Sequence, residues 1–357
     1  MSIIYHKKYH ALIEALGILS RYYNNENFAL LKERFQKRSS YTSDMEDVLR
    51  VMEKVYQETI KTIRFPKELA IYFKPIDNLI GNDLANVMLH EVLLTDENVD
   101  IQEYAIQCFH KDSSCFIHAL LDIDEPMKID YSPQNFMREL ENMDITDSMK
   151  WNVWCVYTNY DEHLEKIMSV VQPLIERIHE VYPRYENKFE KFHNYWENAC
   201  KDGSFYERLK TCTNIEVFQN DNISIYPNYM MCNSVRLYDA YDSSNHINLF
   251  LGLLFQGKNF IDGNHFSREE ILAELKLLSD ASKYELMVHL KDKSQYGFQL
   301  AEHMHLSTAT ISHHVNSLCS HGLLNVEKDS NRVYYQLNKT QISFLLDALR
   351  KDLLEEV

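Results

Sequence analysis

The sequence predicts a mainly α-helical protein with small β elements, and three observations carry that expectation. Apolar residues recur at three- and four-residue steps through much of the first 212 residues. Between 213 and 256 this gives way to short segments rich in Ile, Val, Tyr and Phe, divided by turn residues. Beyond a linker at 257–266, helical patterns with clear start and stop signals return and enclose a strand pair. The expected organisation is a helical region at 1–212, a short antiparallel β segment at 213–256 packing on it, the linker, and a small domain at 267–357.

In the first region, Asp44–Ile63 places Met45, Val48, Met52, Val55 and Thr59 on one stripe that Val51 widens. Ser132-Pro133 reads as an N-cap followed by proline at the first helical position, opening a helix to about Met143. Asp161–Val181 aligns Leu164, Ile167, Val171, Leu174 and Ile178, with a kink expected at Pro173. A further helix, Pro183–Cys200, carries Phe189, Phe192 and Trp196. Strands are expected at Ile215–Gln219, Ile223–Tyr226, Ser234–Tyr241 and Ile247–Phe255, because Asn-Asp-Asn, Pro227-Asn228 and the polar stretch 242–245 between them are turn chemistry. Three or four antiparallel strands follow from that spacing.

The last region is the most sharply patterned. Ser267-x-x-Glu270 forms a capping box before Ile271, Leu272, Leu275 and Leu278. Helices at Ser282–Lys291 and Gly297–Met304 follow, and Ser307 is placed to cap the next one, Thr308 to about Ser320. There Ile311, Val315 and Leu318 fall on one face, while Thr308, Ala309, Ser312, His313 and Asn316 lie opposite. These are small or polar and suited to a major groove. Gly322 is placed to end the helix in the left-handed conformation. Strand patterns at Leu324–Glu327 and Val333–Leu337 flank a polar turn with a cation at each end. Lys328 and Arg332 are its expected phosphate contacts, Arg332 also being placed to reach a minor groove. The last helix, from Lys339 to about Leu354, aligns Ile342, Leu345, Leu346, Leu349 and Leu353, more apolar surface than one small domain needs. A dimer seam is the expectation.

The order helix, helix, helix-turn-helix, hairpin, helix describes a winged helix-turn-helix. The stretches 275–290, Leu306-Ser-Thr-Ala-Thr-Ile-Ser-His-His-Val-Asn-Ser-Leu318 and His321-Gly-Leu-Leu324 resemble the ArsR-type winged helix over about 90 residues, a quarter of the chain. The resemblance implies a homodimer joined through the first and last helices of the domain and an operator of two inverted half-sites. It also implies groove contacts from Ser307, Thr308, Ala309, Ser312 and His313. Where the family's metal sensors place cysteines, this chain reads Gln295-Tyr-Gly-Phe-Gln-Leu-Ala-Glu302, and its last helix has no histidine. Metal-regulated repression is therefore not expected. The long extension before the domain is expected to hold effector sensing, of a small molecule or peptide, or dimerisation.

Bulk properties narrow the function classes. The 357 residues suit two or three domains. The net charge of −16 divides unevenly, with 10 Lys/Arg against 13 Asp/Glu from Ser267 onward and 27 against 40 before it. DNA attraction must come from a local face, not from a general basic surface. The seven scattered cysteines suggest neither a disulfide framework nor a zinc ribbon. No phosphate-cradling glycine pattern, nucleophile–base pair or cofactor motif occurs, so neither an enzyme nor a bound cofactor is expected. The first residues lack the parts of a signal peptide and no apolar run approaches the roughly 18 residues that span a bilayer, so a cytoplasmic protein without a membrane partner is expected.

Four further features have sharper and blander readings. His303, His305, His313, His314 and His321 lack accompanying ligands at metal spacing, so no metal site is assigned. Of the adjacent pair, His313 is expected to face DNA and His314 to pack locally. Trp151, Trp154, Tyr157 and Tyr160 could line an aromatic pocket, but core packing is the preferred reading. Asp96–Asp100 and Asp122–Glu125 hint at carboxylate pairs for acid–base work or a cation, and Cys319 at a redox switch, but solvated loops and an inert thiol are the preferred readings. The combined expectation is a DNA-binding transcription regulator acting on double-stranded DNA as a homodimer. The alternative is a protein–protein adaptor or ligand-binding protein that uses the winged helix as scaffold.

Overall fold

The computed structural model describes the chain apart from residues 1, 37–40, 77–78, 96–98, 122–132, 144, 214, 218–221, 240–245, 258–267, 307, 330–331 and 355–357. The expected caps at Ser132, Ser267 and Ser307 and the loops at 96–98 and 122–125 therefore fall outside the described residues. The mainly helical class with small β elements is what the structure shows.

Strand β1 (Ile3–Tyr5) opens the chain. Helix α1 (Ala11–Tyr23) follows and is buried from Ala11 to Leu19, because its sequence has almost no polar side to turn outward. Next come α2 (Phe28–Gln36), α3 (Ser43–Ile60) and α4 (Ala70–Phe73), α2 packing on α3 and α4 on α1. A short hairpin, β2 (Pro75–Ile76) with β3 (Leu79–Asp83), leads into α5 (Leu84–Met88). Asp83 ends the hairpin and caps α5, its carboxylate accepting from the Asn86 amide at 2.8 Å.

Next come α6 (Ile101–Lys111), α7 (Ser114–Leu121), α8 (Pro133–Asn142) and α9 (Asp147–Thr158). Helix α10 (Tyr160–Val181) keeps Pro173 within it and packs on α1, α3 and α6. Helices α11 (Glu190–Asp202) and α12 (Phe205–Thr213) complete the bundle. The helix expected to start at Pro183 starts at Glu190 instead. Tyr182–Arg184 and Glu186–Lys188 are 3-10 turns, since a proline without an N–H suits a first turn but not continuation of α10.

The expected antiparallel β segment is instead a mixed sheet. Strands β4 (Ile215–Val217), β5 (Asn222–Asn228), β6 (Val235–Asp239) and β7 (His246–Gly252) follow α12. The sheet order is β1-β5-β7-β6, with β5 parallel to both β1 and β7 and only β6–β7 antiparallel. The physical reason lies in burial: β5 and β7 are covered on both faces from their second residue on, and the strands of parallel sheets read as continuous apolar runs, not alternating ones. Polar turn residues mark where a strand ends without saying which neighbour it will pair with. One apolar cluster joins this sheet to helices α1 to α12.

The remaining elements are α13 (Arg268–Leu278), α14 (Ala281–Leu290), β8 (Gln295–Tyr296), α15 (Gly297–Met304), α16 (Thr308–Ser320), β9 (Leu324–Asp329), β10 (Arg332–Leu337) and α17 (Lys339–Leu354). They build a second apolar cluster around Leu286, Leu290, Leu300, Ile311, Val315 and Leu318. Their sheet has the order β4-β9-β10-β8, so one strand of it comes from the preceding half of the chain. Among the described residues, no helix is long and apolar enough to cross a membrane.

Candidate nucleic-acid interface

Two helix ends set the geometry of the helix-turn-helix, and both use the same device. At the end of α15, His305 takes a left-handed conformation (φ 54°), with its amide donating to Glu302 O and the Leu306 amide donating to Ala301 O at 3.1 Å. At the end of α16, Gly322 (φ 72°) donates to Cys319 O and Leu323 to Leu318 O at 3.0 Å. Gly322 thus acts as the sequence predicts. His305 holds a conformation that glycine would adopt more easily, and the turn between the two helices is tight as a result.

Helix α14 is capped by Asp280, which accepts from the Lys283 amide at 2.9 Å. That bond, more than the pairing with the Lys283 ammonium, holds the Asp280 carboxyl below its ordinary range. His289 on α14 stacks on His303 of α15 and bonds to Gln295. Burial, more than the neighbouring His303, pushes the His289 imidazole below its usual value, so it sits neutral between the two helices at physiological pH. Among the described residues no His, Cys, Asp and Glu group is arranged to hold a metal ion.

Helix α16 turns Ile311, Val315 and Leu318 into the core, as their spacing predicts. His314 is buried beside them, while His313, on the opposite side, is half-buried. Thr308 and Asn316 are half-buried as well, and Asn316 donates weakly to Ser312 Oγ at 3.4 Å. The exposure expected of this face is not found. Ser312 is only 8% exposed and Ser317 only 5%, and among the described side chains of α16 none is exposed. The reason is tertiary: β3 and α7, from the first half of the chain, lie against α16. Ser307 lies outside the described residues, as does the side chain of Ala309.

The hairpin β9–β10 pairs Asp329 with Arg332 and Lys328 with Val333, which places both cations at its tip as expected. Their side chains are not among those described. The two-residue strand β8 adds to the far side of β10 through Tyr296 and Tyr334. On the near side, β4 pairs parallel with β9, setting Ile215 opposite Val326 and Val217 opposite Lys328. Sequence reasoning found β4 as a strand but not this partner, and it missed β8 because two residues show no alternation.

The last helix carries the apolar stripe expected of it, yet only Leu345 is buried. Leu346 is 57% exposed and Leu353 76%, and α13, against which α17 packs, leaves Leu272 and Leu275 exposed too. Elsewhere, the aromatic row divides: Trp151 is exposed, whereas Trp154, Tyr157 and Tyr160 pack with Phe109, Phe116 and Phe136. Cys319 is half-buried on α16. A cavity of about 230 Å³ opens between the start of α1, the start of α6 and α10, with Lys8, His10 and His179 beside apolar walls of Val92, Ile101 and Ile175.

No family model matches the sequence. The chain is 35% identical over 83 residues to the arsenical resistance operon repressor of Staphylococcus aureus, covering 23% of this chain and 80% of that repressor. It is 34% identical over 79 residues to the arsenical resistance operon repressor of Staphylococcus xylosus, covering 22% of this chain and 76% of that one. Among solved structures it is similar to HlyU from Vibrio cholerae N16961, with 21% identity and a TM-score of 0.20, covering 24% of this chain and 95% of HlyU. The reduced form of HlyU gives the same identity and TM-score, with 92% of it covered.

Proposed function

The chain belongs to the family of the arsenical resistance operon repressors through a segment of about 83 residues, and from that premise we propose that it is a DNA-binding transcription regulator. The reading assigns the matched segment to residues 267–357. The observation that carries it is the helix-turn-helix itself: α15 and α16 joined by the tight turn at His305, with a hairpin beyond carrying Lys328 and Arg332 at its tip.

In this reading α16 is the recognition helix, and Ser307, Thr308, Ala309, Ser312, His313 and Asn316 meet base edges in the major groove. Lys328 and Arg332 on the wing hold phosphates and fix the docking register. The protein acts as a homodimer through the exposed leucines of α13 and α17, which a monomer would leave in water. Two recognition helices related by a two-fold axis read an inverted repeat whose half-sites lie one helical turn apart, about 10 bp. The extension modulates binding, and the cavity beside His10 is a suitable place for a small-molecule effector. No enzyme activity and no resident cofactor form part of the proposal.

The test separates two kinds of contact. His313→Ala or Ser312→Ala removes base readout and should lower the preference for operator over random duplex by roughly 1–3 kcal/mol. Arg332→Ala removes a phosphate contact and should weaken all duplexes alike, reducing the salt slope by about one unit. Equal losses on operator and random DNA for both kinds of variant would contradict the assignment.

A further inference from the structure

Helix α16, which the proposed function gives to DNA, packs against parts of the chain's own first half, and none of its described side chains is exposed. Both α7 and β3 approach it with Cα atoms within 8 Å. Helices packed on each other lie roughly 8–10 Å apart, so a neighbour at that range stands where the walls of a major groove about 12 Å wide would have to be. The wing is engaged at the same time, because β4 hydrogen-bonds along β9 as far as Lys328. Three elements from earlier in the chain, β3 and α7 at α16 and β4 at β9, thus hold the two elements a winged helix uses on DNA.

We propose that this arrangement is an autoinhibited, closed state, which must part before α16 can enter a groove. The proposal rests on the DNA-binding reading above. Three features suit a contact made to open. The covered face of α16 is small and polar, with Ser312 and Ser317 buried and Thr310, His313 and Asn316 half-buried. Among the described residues the buried members of the second apolar cluster all fall between Leu286 and Tyr335, so the small domain keeps a core of its own when it parts from the rest. Charge also favours exclusion: the first 266 residues, which include β3 and α7, carry 27 Lys/Arg against 40 Asp/Glu, a net negative charge that disfavours an approaching phosphate backbone. A closed population of 99% would weaken apparent DNA affinity about 100-fold relative to the open form.

The geometry also names a point of attack. Helix α7 lies against α16, and His118 within it is a buried polar side chain. A carboxylate there is costly to bury and favours release of α7 from what it covers.

Two measurements on the full-length chain test the proposal. In the first, His118→Glu and the unaltered protein are compared for duplex affinity and for amide hydrogen exchange along α16. The closed state predicts at least about tenfold tighter binding and faster exchange in the variant; unchanged affinity with unchanged exchange would overturn it. The second needs no variant: stopped-flow association of the unaltered protein with excess duplex. Opening before binding predicts a rate that levels off as duplex concentration rises, and a rate that climbs linearly would overturn the proposal. If exchange accelerates in His118→Glu but neither protein binds duplex, the covering contact stands and the DNA-binding reading fails, taking this proposal with it.

Discussion

Glu14 is wholly buried one turn into α1, where the amides of Tyr229 and Met230 donate to its carboxyl at 2.6 and 2.9 Å and the Tyr182 hydroxyl at 3.0 Å. Those donors and the nearby Arg21 favour the carboxylate, but burial outweighs them and pushes the Glu14 carboxyl up from 4.5 to about 7. A raised acid holds its proton in the folded state over a pH range where the unfolded chain has lost it. The stabilisation is therefore full below about 4.5 and is lost as pH rises through about 7. Glu14→Gln should lower the melting temperature overall, because the amide replaces one acceptor oxygen with a donor. It should also flatten the dependence of Tm on pH between 5 and 8; parallel Tm–pH curves for the two proteins would contradict this assignment. At this scale the sequence was informative wherever a side chain's fate is decided within its own helix. Ile311, Val315 and Leu318 are core residues because a 3.6-residue repeat makes them so. The burial of Ser312 was not legible, because what covers that face comes from about 200 residues earlier in the chain.

Among the elements, those with local punctuation came out as read. Helix α15 spans Gly297–Met304 and α16 runs from Thr308 to Ser320, where Gly322 closes it. Strands whose identity depends on a distant partner did not. β1 has three residues and pairs with β5 more than 200 positions on, while β4 finds its partner in the wing. The pairing direction in the main sheet was misread for the same reason, since the turns alone permit either topology. The exposed stripe on α17 is an element-scale feature with a consequence for assembly. Leu346 and Leu353 on α17 and Leu272 on α13, a helix that packs on it, are all exposed, and the proposed dimer would cover them. Leu346→Asp combined with Leu353→Asp should give a monomer by light scattering at micromolar concentration, with an unchanged helical spectrum. A dimer that survives both substitutions would place the seam elsewhere. Loss of the dimer should also cost most of the affinity for a two-half-site operator while leaving single half-site binding nearly intact.

For the whole molecule, the distribution of charge and the contact between its halves point the same way. The chain carries a net charge of −16, most of it in the first 266 residues, from which come the elements that lie against α16 and β9. In the proposed reading, binding to DNA depends on a small local surface becoming available, and selectivity comes from base contacts because general phosphate attraction is weak. The class of fold and the helix-turn-helix were legible in the sequence; the relation between the two halves was not, because it is written in tertiary contacts with no local signature. Competition fluorescence anisotropy shows whether this chain reads duplex DNA in a sequence-selective way. A labelled duplex from upstream of the protein's own gene is titrated with the full-length chain at physiological salt and then challenged with unlabelled random duplex. A sequence-selective regulator holds the upstream duplex much more tightly than the competitor and releases it as salt rises. Equal affinity for the two, or binding to neither, would contradict it.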